Sequence, residues 1–209
     1  MPIKPQRRPS GSNPSGARLT IDNLQDLRDA ITLLADTEVL VGVPEEETER
    51  PGTADEPTNA ALAYIHDNGA PEVNIPARPF MIPGINASKP TIVKELIATA
   101  RAAARASQPK PGRTRTQVDV KAVIEKGLHR VGLTAQTAIR NKISEGIPPP
   151  LSDRTLRDRA ARGRKGAAGE LARRAKGEAP SMDGALPLMD TNEMLKSVSY
   201  AIRKKSARK

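Results

Sequence analysis

The sequence contains no cysteine and no tryptophan among its 209 residues. Without cysteine the chain can form neither a disulfide framework, nor a thiolate nucleophile, nor a thiolate metal site. Aromatic residues are scarce as well, with two tyrosines and one phenylalanine. Because aliphatic side chains must then fill the core, we expect a small core with long peripheral arms.

Long apolar runs are missing too. No segment approaches the roughly 18 to 20 apolar residues that cross a bilayer. The first residues are basic and lack the apolar stretch of a secretory signal. We therefore expect neither a membrane span nor export through such a signal. The 19 prolines and 15 glycines exceed the usual share without reaching the level of a disordered chain, which predicts a folded protein with extended parts.

Charge is distributed unevenly along the chain. The formal charge is +4 over residues 1–18, −9 over residues 19–100 and +15 over residues 101–209, which together give the net charge of +10. An acidic half and a basic half suit two unlike partners, or head-to-tail contact between copies, at least as well as they suit nucleic-acid binding.

Hydrophobic periodicity predicts an α+β fold, in which a small mixed or antiparallel sheet is packed by two long helices, with an extended N-terminal arm and long loops. The sheet is expected from strands at 37–43 and 196–203 and a hairpin around 44–58. The long helices are expected at 90–107 and 117–145.

The same pattern divides the chain into four parts. Residues 1–18 are predicted to be a flexible basic arm, because they offer no apolar periodicity. Residues 19–36 contain an accessory amphipathic helix, residues 37–203 form one compact domain, and residues 204–209 are a basic tail.

Shorter segments connect these elements. Residues 59–71 are expected to form a short helix that Gly69 ends in the left-handed αL conformation. The proline-rich segment 73–85 is expected to be extended, with Phe80 as its apolar anchor. The arginine-rich segment 148–176 is predicted to be a loop that becomes ordered on a partner.

Catalytic chemistry finds little support in the sequence. His66 and His129 have no second histidine or carboxylate at ligand spacing, and the neighbouring Asp67 is expected to belong to a solvated helix end. Phosphate-binding glycine loops and nucleophile elbows are absent. We therefore expect no enzymatic activity, no metal and no cofactor, and a metal-free enzyme using His66 and Asp67 is the weakest alternative.

Nucleic-acid binding is the stronger alternative. The cations between Arg154 and Lys176 would give salt-dependent attachment without sequence preference. The stretch lacks interleaved aromatics for base stacking, so docking on an acidic protein surface explains it at least as well.

Three segments together resemble the tail-completion, or neck, family of tailed bacteriophages, which is also described as minor tail or virion morphogenesis protein. The first is the helix at 61–69 with the hexapeptide I-P-A-R-P-F at 75–80. The second is P-L-S-D-R-T-L at 150–156, after the second long helix. The third is P-L-M-D-T at 187–191 with the residues up to Tyr200.

One position departs from the family pattern, since Asn192 stands where a glycine usually follows Asp-Thr. Asparagine tolerates the left-handed conformation better than most residues, so we expect the turn to survive. The resemblance covers about residues 37–203 and leaves residues 1–36 unassigned.

The resemblance implies a structural virion protein at the head-tail interface, made in the bacterial host cytoplasm. It would join the head connector to the tail as part of a homo-oligomeric ring, with six subunits as the favoured number. Its partners would be further copies, the connector, and tail tube or tail terminator proteins. Non-specific contact with DNA is compatible with this role, and no membrane partner is expected.

We expect residues 75–83 to anchor the extended, proline-rich part of the chain on the core of sheet and helices. The predicted interface or assembly residues lie in the acidic 44–58 loop, this segment and the basic 151–177 loop: Glu45, Glu46, Glu47, Arg78, Pro79, Phe80, Arg154, Arg157, Arg159, Arg162, Arg164 and Lys165. The predicted turn residues are Gly69, Asp190, Thr191 and Asn192, with Asp190 or Thr191 capping a single helical turn.

Overall fold

A computed structural model of the chain describes residues 22–45, 57–107 and 117–205. These residues form helices and a two-stranded antiparallel sheet, which confirms the predicted α+β class. The elements are α1 Asp22–Ala35, β1 Thr37–Gly42, α2 Asn59–Asn68, a 3-10 turn Pro71–Val73, α3 Met81–Ala106, α4 Gln117–Ser144, α5 Asp153–Ala161, α6 Lys165–Ala175, α7 Glu193–Ser197 and β2 Ser199–Lys204.

Two long helices, α3 and α4, form the centre of the fold. They run antiparallel, because Gly84 near the start of α3 faces Ile139 near the end of α4, and Thr99 faces Gly127. A Cβ at Gly84 would lie 2.8 Å from the Cα of Ile139, so this approach of the two backbones requires glycine. The sequence therefore separates these helices by small side chains rather than by large apolar ones.

Helix α4 carries the predicted apolar stripe. Its inward residues recur at three- and four-residue spacing, as burial of one helix face demands. The buried members are Val120, Ile124, Leu128, Val131, Ala135, Ile139 and Ile143.

Helix α3 begins nine residues before its predicted start. Its first residue is Met81 rather than residue 90. The proline-rich segment is therefore extended only as far as Phe80 and not to residue 85. Pro83 lies in the first turn, where a backbone N–H has no intrahelical acceptor, and a proline is therefore tolerated. Pro90 lies inside the helix and costs it one hydrogen bond.

The two strands pair antiparallel, with Thr37 opposite Lys204 and Gly42 opposite Ser199. The sheet packs against α4. Gln136 Nε2 of α4 donates to the carbonyl of Val198, the residue before β2, at 2.7 Å. Strand β2 begins three residues later than predicted because α7 extends to Ser197.

Two apolar clusters make up the core around this sheet and helix pair. One surrounds Phe80, whose exposed fraction is 0%, and includes Ala63, Ile143 and Val198. The other includes Ala30 of α1, so the predicted accessory helix packs into the core.

The sequence predicted a loop for the arginine-rich segment. In the structure this segment forms two helices, α5 and α6. Ser152 caps α5 by accepting a hydrogen bond from the Thr155 backbone N–H at 3.3 Å. Leu156 is fully buried in a small cluster with Ala167, so the pair has its own apolar contacts.

Several predictions fall outside the described residues. These are the basic arm at 1–18, residues 46–56 of the predicted hairpin, and the last four residues of the basic tail.

Candidate functional site

One cleft with a volume of about 1060 Å³ collects the three segments that the sequence analysis singled out. Its first wall runs from the end of α2 to Arg78, its second from Pro149 into α5, and its third from Leu188 to Met194. Parts of the chain that are distant in sequence thus form one concave surface, the kind of place where ligands commonly bind.

The first wall is a tight return of the chain after α2. Thr58 Oγ1 accepts a hydrogen bond of 3.1 Å from the first turn of α2, and Gly69 follows the helix with φ of 82°. A Cβ at Gly69 would lie 2.8 Å from the backbone nitrogen of Ala77, so the return needs glycine. Ala70 and Ile75 then pair through backbone hydrogen bonds of 2.8 and 3.0 Å. The predicted position of the helix end at Gly69 is confirmed, but with ψ of 166° the glycine does not adopt the predicted αL conformation.

Asp67 is not part of a solvated helix end, contrary to the prediction. Its Oδ1 accepts hydrogen bonds from the backbone N–H groups of Phe80 at 2.7 Å and Met81 at 3.0 Å. A carboxylate at this place satisfies donors that the start of α3 leaves without partners. Asp67 therefore fixes the point at which the extended segment turns into α3.

Arg78 joins the first and second walls. Its backbone N–H donates to the carbonyl of His66 at 2.8 Å, and its Nη2 donates to the carbonyl of Pro149 at 2.9 Å. The residue is 6% exposed, so its guanidinium is almost withdrawn from water. Arg78 Nε and His66 Nδ1 are buried and have no hydrogen-bond partner in the described part of the chain.

The electrostatics of this wall follow from burial and from neighbouring cations. Burial lowers the pKa of His66, and the positive charges of Arg78 and Arg159 lower it further. Since the ordinary value is 6.5, the imidazole is neutral at pH 7. Burial also lowers the pKa of Arg78, with a smaller contribution from Arg159. The two guanidinium groups are thus close enough to repel each other.

Asp190, on the third wall, is shared by cations from α5 and the turn that follows. Its carboxylate lies 2.7 Å from Arg162, 2.9 Å from Arg164 and 3.9 Å from Arg159. Arg159 Nη1 also donates to two carbonyls in the 186–189 turn, at 2.8 and 3.2 Å. These bonds hold the third wall against α5.

Glu170 organises the far side of the α5–α6 pair. It is 2% exposed and accepts hydrogen bonds from Ser181 N at 2.7 Å, Arg173 at 2.8 Å and Arg174 at 3.0 Å. The backbone hydrogen bond from Ser181 is the main cause of a lowered pKa for Glu170. Sequence reasoning missed this residue, although arginines three and four positions after a glutamate are a recognisable pairing signal.

Most arginines of the basic segment are therefore engaged inside the chain. Arg154, Arg157, Lys165 and Lys176 are exposed and form no ion pair with any described residue. The free positive charge of the segment is thus smaller than its composition suggests.

The turn before α7 confirms the expectation for Asn192, which adopts the left-handed conformation with φ of 63°. It occupies the N-cap position of α7, so the predicted cap at Asp190 or Thr191 is wrong. The Asp190 carboxylate is turned toward the arginines instead, and Thr191 Oγ1 accepts from the backbone N–H of Glu193 at 3.4 Å.

The remaining predicted interface residues are scattered. Glu45 is exposed after β1, Pro79 is exposed on the extended segment, and Glu46 and Glu47 lie outside the described residues. Arg78 and Phe80 are buried within their own chain. The cleft is lined by Arg78, Arg159, Arg162 and the turn residues, and Glu45, the described acidic residue of the 44–58 loop, is not among the residues that line it.

Within residues 22–45, 57–107 and 117–205, no three His, Asp or Glu side chains are grouped to hold a metal ion. No described helix is both long and apolar enough to cross a membrane.

Comparison of the chain with protein-family models, curated proteins and solved structures finds no match.

Proposed function

We propose that this chain is a structural protein of a tailed-phage virion, which joins the head connector to the tail as a subunit of a homo-oligomeric ring. The observation that carries the proposal is the convergence of the three motif segments on one cleft. Segments that meet in space can act as one recognition surface. Three motif segments that resembled the family only by chance would not be expected to lie together in the fold.

An exposed apolar row on α3 supports self-association. Val93, Leu96 and Ile97 follow one another at helical spacing, and their exposed fractions are 46%, 39% and 46%. The buried residues of α3, by contrast, are small: Gly84, Ser88, Thr99 and Ala103. Adjacent exposed apolar side chains on a chain with so few large core residues favour a protein partner.

The contacts in the cleft favour binding over catalysis. Asp67 Oδ1 is engaged with backbone N–H groups at the start of α3, so Asp67 does not serve His66 as the partner of a catalytic base. A base and the group that orients it must be within hydrogen-bond reach of each other. Arg78 and Arg159 of the cleft also donate hydrogen bonds to carbonyl groups of their own chain.

The nucleic-acid alternative is weakened by the ion pairs of the basic segment. Arg159, Arg162 and Arg164 share Asp190, and Arg173 and Arg174 share Glu170. A cation that is already paired within the chain neutralises a DNA phosphate less readily, so fewer counterions leave the DNA. We expect DNA binding, if measured, to be weak and to involve Arg154 and Arg157.

Native mass spectrometry of the full chain tests the proposed function. The chain should form a discrete ring, either alone or after addition of connector and tail-tube proteins, and six subunits is the expected number. A chain that stays monomeric with both partners, and binds DNA with a steep loss of affinity in salt, would contradict the proposal.

A further inference from the structure

The cleft contains a buried cation that lacks a counter-ion. Arg78 is 6% exposed, forms no ion pair with any described residue, and leaves Nε without an acceptor. Its one side-chain hydrogen bond goes to the carbonyl of Pro149, which carries no full charge. A buried charge without a partner is costly, so an anion in this place would be strongly favoured.

The neighbouring charges do not supply that anion. Asp190 already serves Arg159, Arg162 and Arg164, and Glu193 is the only other carboxylate among the described cleft residues. With Arg78, four guanidinium groups therefore face two carboxylates. The cleft and its edge keep an excess of positive charge, which complements an acidic ligand.

The chain itself contains such a ligand. Residues 46–56 carry five carboxylates and one arginine within eleven residues. The cleft volume of about 1060 Å³ is large enough for several residues of an extended peptide. Proline residues in the walls, at 71, 76 and 149, keep the cleft rigid, which reduces the entropy lost on binding.

We propose that the cleft binds the acidic segment 46–56 of a second copy of this chain, with a carboxylate of that segment paired to Arg78. The contact is head to tail, because segment and cleft are different surfaces of one subunit, and repetition of such a contact gives a ring when the rotation between subunits closes. The inference rests on the proposed ring function. A duplex is a poorer occupant, since its phosphates meet exposed cations such as Arg154 more readily than a guanidinium at the base of a cleft.

Peptide titration tests the chemistry of the cleft. The receptor is the full chain with its own segment neutralised by Glu46→Gln, Glu47→Gln, Glu49→Gln, Asp55→Asn and Glu56→Gln. The probe is a fluorescent peptide of residues 44–57, followed by anisotropy. We expect saturable binding that falls at least about tenfold with Arg78→Met, because the variant removes a buried charge partner.

Matched variants control this titration. Arg162→Gln should weaken binding several-fold, and it keeps the test valid if Arg78→Met does not fold. Arg101→Gln with Arg105→Gln, exposed on α3 and outside the cleft lining, should leave the affinity unchanged. Equal binding of a peptide in which the five acids are amides would overturn the inference. Tighter binding of an oligonucleotide through Arg78 would also overturn it and assign the cleft to phosphate.

A mixing experiment identifies the occupant as a second copy. The segment-neutralised chain and the Arg78→Met chain should each stay monomeric where the natural chain forms a ring. Their mixture should give a one-to-one dimer that cannot close, because only one complementary contact remains. If both variants still form rings, the inference is wrong and the proposed function stands. If the natural chain forms no ring with connector and tail-tube proteins, the proposed function is wrong. The inference that a second copy occupies the cleft is then wrong as well.

Discussion

Phe80 and His66 show how single residues connect the extended segment to the core and to the cleft. Phe80 is the only phenylalanine, and it is completely buried beside Ala63 and Ile143. His66 sits one residue before the carboxylate that fixes the start of α3, and its ring is half-buried near two arginines. Substitution of either residue should therefore change the stability of the chain measurably.

Replacement of Phe80 by alanine should destabilise the chain by about 3–5 kcal/mol, because it removes the largest core side chain and leaves a cavity. Urea denaturation followed by circular dichroism measures the change. Tyr64→Ala is the matched control, since Tyr64 is 70% exposed and should shift stability by no more than about 0.5 kcal/mol. Similar losses for the two variants would contradict the assigned role of Phe80.

His66 should make stability depend on pH below its ordinary pKa of 6.5. Its pKa is lowered in the folded chain, so the unfolded chain takes up a proton first as the pH falls. The stabilisation is therefore complete above pH 6.5 and is lost as the pH falls toward the folded value. Urea midpoints at pH 7.5 and 5.5 should fall more for the natural chain than for His66→Gln. An equal fall would show that His66 is not buried in its neutral form.

At the scale of elements, small residues and buried carboxylates determine how the helices meet. Gly84 lets the start of α3 approach α4, and Asp67 determines where α3 begins. Glu170 and Asp190 hold the arginine-rich pair α5 and α6 in place from two sides. Without these carboxylates the like charges of the pair would repel each other and oppose its folding.

Two glycine-to-alanine changes should have opposite effects. Gly84→Ala should destabilise the chain by about 1–3 kcal/mol, since its Cβ would lie 2.8 Å from the backbone of Ile139 and force α3 and α4 apart. Gly169→Ala in α6 meets nothing within 4 Å and should stabilise the chain by about 0.5–1 kcal/mol through helix propensity. Thermal unfolding of both variants measures the two changes, and a stabilising Gly84→Ala would be inconsistent with the close helix contact.

At the scale of the whole molecule, the described surface combines a cationic cleft with an apolar row on α3. The cleft offers charge complementarity, while Val93, Leu96 and Ile97 offer apolar area. In the proposed ring the cleft would meet the acidic segment of one neighbour, and the apolar row would add apolar area to a subunit contact. These features give the proposed assembly a physical basis without a large core in the single chain.

Ile97→Lys should weaken oligomerisation while leaving stability within about 0.5 kcal/mol, because the side chain is 46% exposed in the single chain. Light scattering coupled to size exclusion measures the subunit number against concentration. Val73→Lys is the control, since Val73 is 64% exposed on the 3-10 turn and outside the apolar row. If the Ile97→Lys variant forms the same ring as the natural chain, the apolar row is not part of the subunit contact.

Local patterns in the sequence predicted much of the secondary structure. The apolar stripe of α4, the strand at 37–42 and the helix end at Gly69 follow from periodicity and turn chemistry. Such signals act over a few residues, so they can be read without knowing what packs against them. The left-handed turn at Asn192 is expected only because the family resemblance places a glycine there.

Only the tertiary structure decided the remaining elements. Helix α3 starts at Met81 because Asp67, from the preceding helix, accepts hydrogen bonds from its first backbone N–H groups. The arginine-rich segment folds because Glu170 and Asp190 supply buried or shared counter-charges. The cleft exists because three distant segments meet. In each case a contact between residues far apart in the chain outweighs the local preference, and local patterns contain no information about such contacts.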